Sequence, residues 1–133
     1  MIEVVDCNSW FHIKISNLLR YNYIQHLNTE LFQSLVYRIE YSPDAEEHLM
    51  YLTARQQSIV LDAVDEQLMY QPNIETKNRK LMRPNPLAIW ELRIGELRVY
   101  YDVEEEPEAL VYINAIGVKE RNIVRIAGEI FEL

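Results

Sequence analysis

Residues 89–103 constrain the fold more tightly than any other stretch. They read Ile-Trp-Glu-Leu-Arg-Ile-Gly-Glu-Leu-Arg-Val-Tyr-Tyr-Asp-Val. Trp90, Leu92 and Ile94 alternate with Glu91 and Arg93; after Gly95-Glu96, Leu97, Val99, Tyr101 and Val103 alternate with Arg98, Tyr100 and Asp102. A period of two marks half-buried strands. A two-residue link with Gly first suits a type II′ turn. Such a turn fixes the register: Ile94 faces Leu97, Leu92 faces Val99, and Trp90 faces Tyr101. Those six side chains form a core face. The other face sets Arg93 against Arg98 and Glu91 against Tyr100. Like charges directly opposite each other cost up to about 1 kcal/mol. Two arrangements relieve that cost. An anion such as phosphate can sit between the two guanidinium forks. Alternatively, each arginine pairs with Glu91, Asp102 or Glu96 on a solvated face.

The 133 residues correspond to one domain, and nearly half are hydrophobic, enough for a core. A single cysteine, Cys7, excludes an internal disulfide and fits a reducing compartment. No apolar run reaches membrane-spanning length, and the N-terminus lacks the basic start and apolar core of a secretory signal. A cytoplasmic protein without membrane contact is the expectation. The net charge of −8 argues against casual nucleic-acid binding. The charge is unevenly placed, however. Residues 77–98 hold Lys77, Arg79, Lys80, Arg83, Arg93 and Arg98 against Glu91 and Glu96; residues 119–125 add Lys119, Arg121 and Arg125 against Glu120. One basic face on an acidic body is expected. No His, Cys and carboxylate cluster has ligand spacing, so neither a metal nor a cofactor is implied.

Residues 1–35 fit neither strand nor helix period well, although Asn28-Thr29-Glu30 suits the start of a short helix. His12 and His26 stand apart from any metal-ligand spacing. The segment reads as a private extension, a partner-binding arm, or sequence upstream of a true start at Leu35 or Val36. Residues 36–133 then form the main domain. Residues 37–41 alternate as a first strand. Ser42-Pro43 caps and opens a helix carrying Ala45, Leu49 and Leu52. Thr53 and Gln56 have capping-box spacing for a second helix, with Val60, Val64 and Leu68 on one face, ending before Pro72. Residues 71–86 are a basic, proline-bearing connection. After the hairpin, residues 109–116 form a last strand that Gly117 ends. The predicted order is β–α–α–β–β–β. This is an α+β domain in which an N-terminal helical hairpin packs on one face of a small, mostly antiparallel sheet. The second sheet face is expected to be open.

Over residues 36–129 the chain resembles the RelE/ParE superfamily of bacterial toxins from type II toxin–antitoxin modules. The likeness rests on residues 37–43 followed by two helices, on Trp90-Glu91-Leu92-Arg93-Ile94-Gly95 with Leu97-Arg98-Val99, and on Ile116-Gly117-Val118-Lys119-Glu120-Arg121. The resemblance implies a cytoplasmic toxin with a cognate antitoxin as partner. Members of the RelE branch are ribosome-dependent, metal-independent mRNA endoribonucleases that inhibit translation. In them, basic residues on the open sheet face hold a phosphate attacked by the 2′-hydroxyl, a form of electrostatic catalysis. Carried onto this chain, the likeness makes Arg98, Arg93 and Lys119 the phosphate-holding catalytic set and Glu91 the group that exchanges a proton. Lys77, Arg79, Lys80, Arg83, Arg121 and Arg125 are the further RNA-contacting candidates. Glu91 stands where well-known members have a lysine, and Arg125 near where they place a tyrosine. Whether the chain is an enzyme therefore stays open. The alternatives are a ParE-like inhibitor of DNA gyrase and a catalytically degenerate module that binds its antitoxin.

Overall fold

The computed structural model describes residues 36–133. The expectations for residues 1–35, namely the extension, its short helix and the solitary His12 and His26, lie outside the described residues. The chain begins with β1 (Arg38–Tyr41), followed by α1 (Pro43–Leu49) and α2 (Ala54–Leu68). Both helix starts follow from their caps. Ser42 Oγ accepts from the Ala45 amide at 2.9 Å, with Pro43 in the first turn. Thr53 and Gln56 cap each other reciprocally, at 3.1 and 3.0 Å. Val60, Val64 and Leu68 recur at helical spacing and are fully buried.

Six strands follow: β2 (Arg79–Leu81), β3 (Trp90–Ile94), β4 (Leu97–Glu104), β5 (Leu110–Glu120), β6 (Ile123–Ile126) and β7 (Glu129–Phe131). They lie in the order β2-β3-β4-β5-β6-β7, each antiparallel to the next, while β1 pairs parallel with β5. The β3–β4 register is the one that the turn dictates, with Trp90 opposite Tyr101 and Arg93 opposite Arg98. Gly95 has φ +59°, and Glu96 is not among the positive-φ residues, as a type II′ turn requires.

This architecture corrects the expected helical hairpin on a small sheet. The first strand does precede both helices, in the order expected. The helices, however, do not pair with each other as a hairpin: α1 packs chiefly on β5, and α2 on β3 and β4. The sheet has seven strands among the described residues. It is larger than expected because residues 79–81, within the expected connection 71–86, form β2 against β3, and because Gly117 does not end β5. A Cβ on Gly117 would stand 2.5 Å from the Arg125 carbonyl oxygen and 2.7 Å from Ile126 Cγ1. Glycine here lets β6 approach closely. The tail then turns twice more, at Arg121-Asn122 and Ala127-Gly128, adding β6 and β7.

One edge of β5 changes partner midway. Residues 110–113 pair with β1, and residues 118–120 with β6. Helix α1 fills the gap: the Ile116 amide donates to His48 Nδ1 at 3.2 Å, and the Ser42 amide to the Ile113 carbonyl at 2.9 Å. An otherwise unpaired buried strand amide is thus satisfied by a side chain.

The face opposite α2, expected to be open, is partly covered because the β2–β3 connection crosses it. Met82, Leu87 and Ala88 pack on Tyr100, Ala115, Val124 and Ile126, with Phe131 alongside. Asn85 holds this strap in shape. Its Oδ1 accepts from the Leu87 and Ala88 amides, and its Nδ2 donates to the Arg83 and Ala88 carbonyls. Asn114 Nδ2 ties the strap to β5 through the Leu87 carbonyl at 3.0 Å.

Candidate nucleic-acid interface

Strand parity decides which charged residues share a face. Glu91, Arg93, Arg98 and Tyr100 are on the strapped face of the central hairpin, and Lys80 joins them opposite Glu91. On β5, Gly117 pairs with Arg98 and Ala115 with Tyr100, so Lys119, two residues beyond Gly117, falls on the same face. The Lys119 amide donates to the Glu96 carbonyl at 2.7 Å, which places Lys119 beside the hairpin turn.

Beside the strap lies a groove of about 590 Å³. Lys80, Arg83, Arg93 and Lys119 line it, together with Asn85, Glu91, Asn122, Val124 and Glu132. Four cations therefore converge from β2, the strap, β3 and β5. The floor carries a carboxylate. Glu91 is buried, its Oε1 accepts from Arg93 Nε at 2.8 Å, and its Oε2 stands 3.8 Å from Arg98 Nε. Arg98 itself is turned toward the hairpin end, where its Nη1 donates to the Gly95 and Leu97 carbonyls at 2.6 and 2.9 Å. It does not line the groove. Tyr100 lies fully buried beneath the face. Burial first, and then the Glu91 carboxylate, push its phenol well above the usual range.

The remaining candidates are scattered. Arg79 pairs opposite Leu92, on the face away from the groove. It is buried, and donates from Nε to the Ile74 carbonyl and from Nη1 to the Gln67 carbonyl and side chain. Its role is to bind the C-terminal turn of α2, where carbonyls lack partners. Arg125 pairs opposite Val118, on the face away from Lys119, and donates to Glu120 at 2.7 Å. Lys77 is exposed and does not line the groove. Arg121 is exposed at the β5–β6 turn with φ 58°, next to Asn122, which does line it. Sequence reasoning passed over Asn85, Asn122 and Glu132. The Arg121-Asn122 turn was the signal available for Asn122; Glu132 carried none.

The groove suits an anion. Its lining carries Lys80, Arg83, Arg93 and Lys119 and contains neither histidine nor tyrosine. Among the described residues, no group of three His, Cys, Asp or Glu side chains is placed to hold a metal ion. No helix among them is long and apolar enough to cross a membrane.

A chain of the toxin–antitoxin complex RelBE2 from Mycobacterium tuberculosis has a similar structure. The TM-score is 0.56 at 20% identity, over 64% of this chain and 93% of that one. That likeness establishes a shared fold. No family model matches the sequence, and no curated protein matches it.

Proposed function

We propose that this chain is the toxin-type subunit of a toxin–antitoxin module, and that it inhibits translation by gripping RNA along the strapped groove. The observation that carries this reading is the convergence of Lys80, Arg83, Arg93 and Lys119 on one channel of a chain whose net charge is −8. Glu91 and Glu132 in the lining offset part of that charge, and an entering anion would offset the rest. An RNA backbone supplies phosphates at regular spacing and releases counterions on binding. The fold shared with a chain of a toxin–antitoxin complex supports the module. An antitoxin is the corresponding partner. The outer edge of β7, with Ile130 exposed, and the exposed Met50, Tyr51 and Ile59 offer it surface.

Holding RNA suits this groove better than cutting it. Arg93 and Lys119 can stabilise charge developing on a phosphate. Cleavage also needs a group free to exchange a proton with the reacting oxygens. Glu91 faces a guanidinium with each oxygen, and Tyr100 is buried below the floor.

Expression without an antitoxin tests the reading. Amino-acid incorporation should fall within minutes, with messages left intact inside their translated codons. Replacing Arg93 and Lys119 together by Ala should restore growth. DNA-damage signalling with undiminished translation would overturn the proposal in favour of a gyrase target, and cuts within codons would overturn the non-cleaving mode.

A further inference from the structure

Arg93 and Arg98 occupy directly facing positions of an antiparallel pair. Their mutual repulsion calls for an anion. Here the protein supplies it. Glu91 Oε1 binds Arg93 Nε at 2.8 Å, and Oε2 stands 3.8 Å from Arg98 Nε. The carboxylate is well sheltered, since the Glu91 and Arg98 side chains are 10% and 12% exposed, whereas Arg93 is 44% exposed. Arg98 Nε is buried and makes no hydrogen bond. A carboxylate and a phosphate present paired oxygens to a guanidinium in the same way. Gly117, facing Arg98 from β5, places no side chain beside it.

We infer that the space between Arg93 and Arg98 is a phosphate seat whose built-in occupant is the Glu91 carboxylate. Glu91 is thus a selectivity residue. It withholds Arg98 from any phosphate entering the groove and leaves Arg93 and Lys119 to meet it. Only the source of that phosphate, an RNA backbone, rests on the function proposed above. Removing the charge releases the side chain from both guanidiniums, so that an outside anion can displace it from the seat.

The test uses the full chain, with inorganic phosphate as probe, followed by calorimetry. Glu91→Gln should bind phosphate at least tenfold tighter than the parent. The double variant Glu91→Gln with Arg98→Gln should lose that gain. Parental affinity in Glu91→Gln, or a gain that survives in the double variant, would overturn the inference. If Glu91→Gln does not fold, the parent decides alone. Phosphate titration should move the Arg93 Nε–H resonance and leave that of Arg98 in place; equal shifts would overturn the seat. A parallel arm uses a single-stranded oligoribonucleotide. There the salt slope of Glu91→Gln should steepen by roughly 0.7, the increment for one further phosphate on a single strand. Failure of every variant to bind the oligonucleotide sinks the RNA reading, while the phosphate arm still decides the seat.

Discussion

The carbonyl oxygen of Arg125 lies 2.5 Å from the point where Gly117 would carry a Cβ. This contact is backbone on both sides, so neither strand can yield cheaply. Gly117→Ala should therefore push β6 off β5 and cost about 2–3 kcal/mol, in the range of overpacked cores. Urea unfolding should show a lower midpoint at unchanged slope. A parental midpoint would contradict the close approach.

Arg79 leads to the second prediction. Its guanidinium satisfies carbonyls of Gln67 and Ile74 in a buried position. Arg79→Met should destabilise the fold by about 3 kcal/mol, because hydrogen bonds to a charged donor are lost and their acceptors stay buried. Affinity for an oligoribonucleotide, measured where the variant remains folded, should not change. A fall in affinity without loss of stability would return Arg79 to the RNA-contacting set.

What the sequence revealed, and what it hid, divides along locality. The Gly95-Glu96 turn sets the central register, and Ser42 and Thr53 cap their helices, through residues no more than three positions apart. Parity alone then put Glu91, Arg93 and Arg98 on one face. Gly117 misled because a glycine after an apolar run looks like a stop, whereas its purpose is set by β6, which follows it in the chain. The β5–β6 and β6–β7 turns place Arg121 and Ala127 at positive φ, where Asn or Gly is the usual signal. Without β2 and β6, the facings of Arg79 and Arg125 had no reference strand. The strap was hidden for the same reason, since Met82 and Leu87 read as loop residues until Tyr100 and Ala115 lie beneath them.

His48 gives a pH dependence. Its Nδ1 accepts from the Ile116 amide, a role open only to the neutral ring. Burial lowers its pKa below the ordinary 6.5, and the carboxylates of Asp44 and Glu47 oppose the shift without cancelling it. The unfolded chain then binds the proton first, so the His48 contribution is present above about pH 6.5 and is lost as pH falls toward the depressed folded value. Thermal melts should show the midpoint falling below pH 6.5. In His48→Gln, whose amide oxygen can still accept, that part of the decline should flatten. An identical pH profile in both proteins would contradict the role of the ring.

The proposed grip on RNA requires the cations of the groove to act together. Fluorescence anisotropy of a labelled single-stranded oligoribonucleotide, repeated from low to moderate salt, tests this most directly. The parent should bind with a log–log salt slope near −2 to −3, as about four phosphate contacts would give at roughly −0.7 each. Replacing Lys119 by Ala should make the slope shallower by about 0.7 and weaken binding at every salt concentration. A parent that binds no RNA at low salt, or a Lys119→Ala variant with parental slope and affinity, would contradict it.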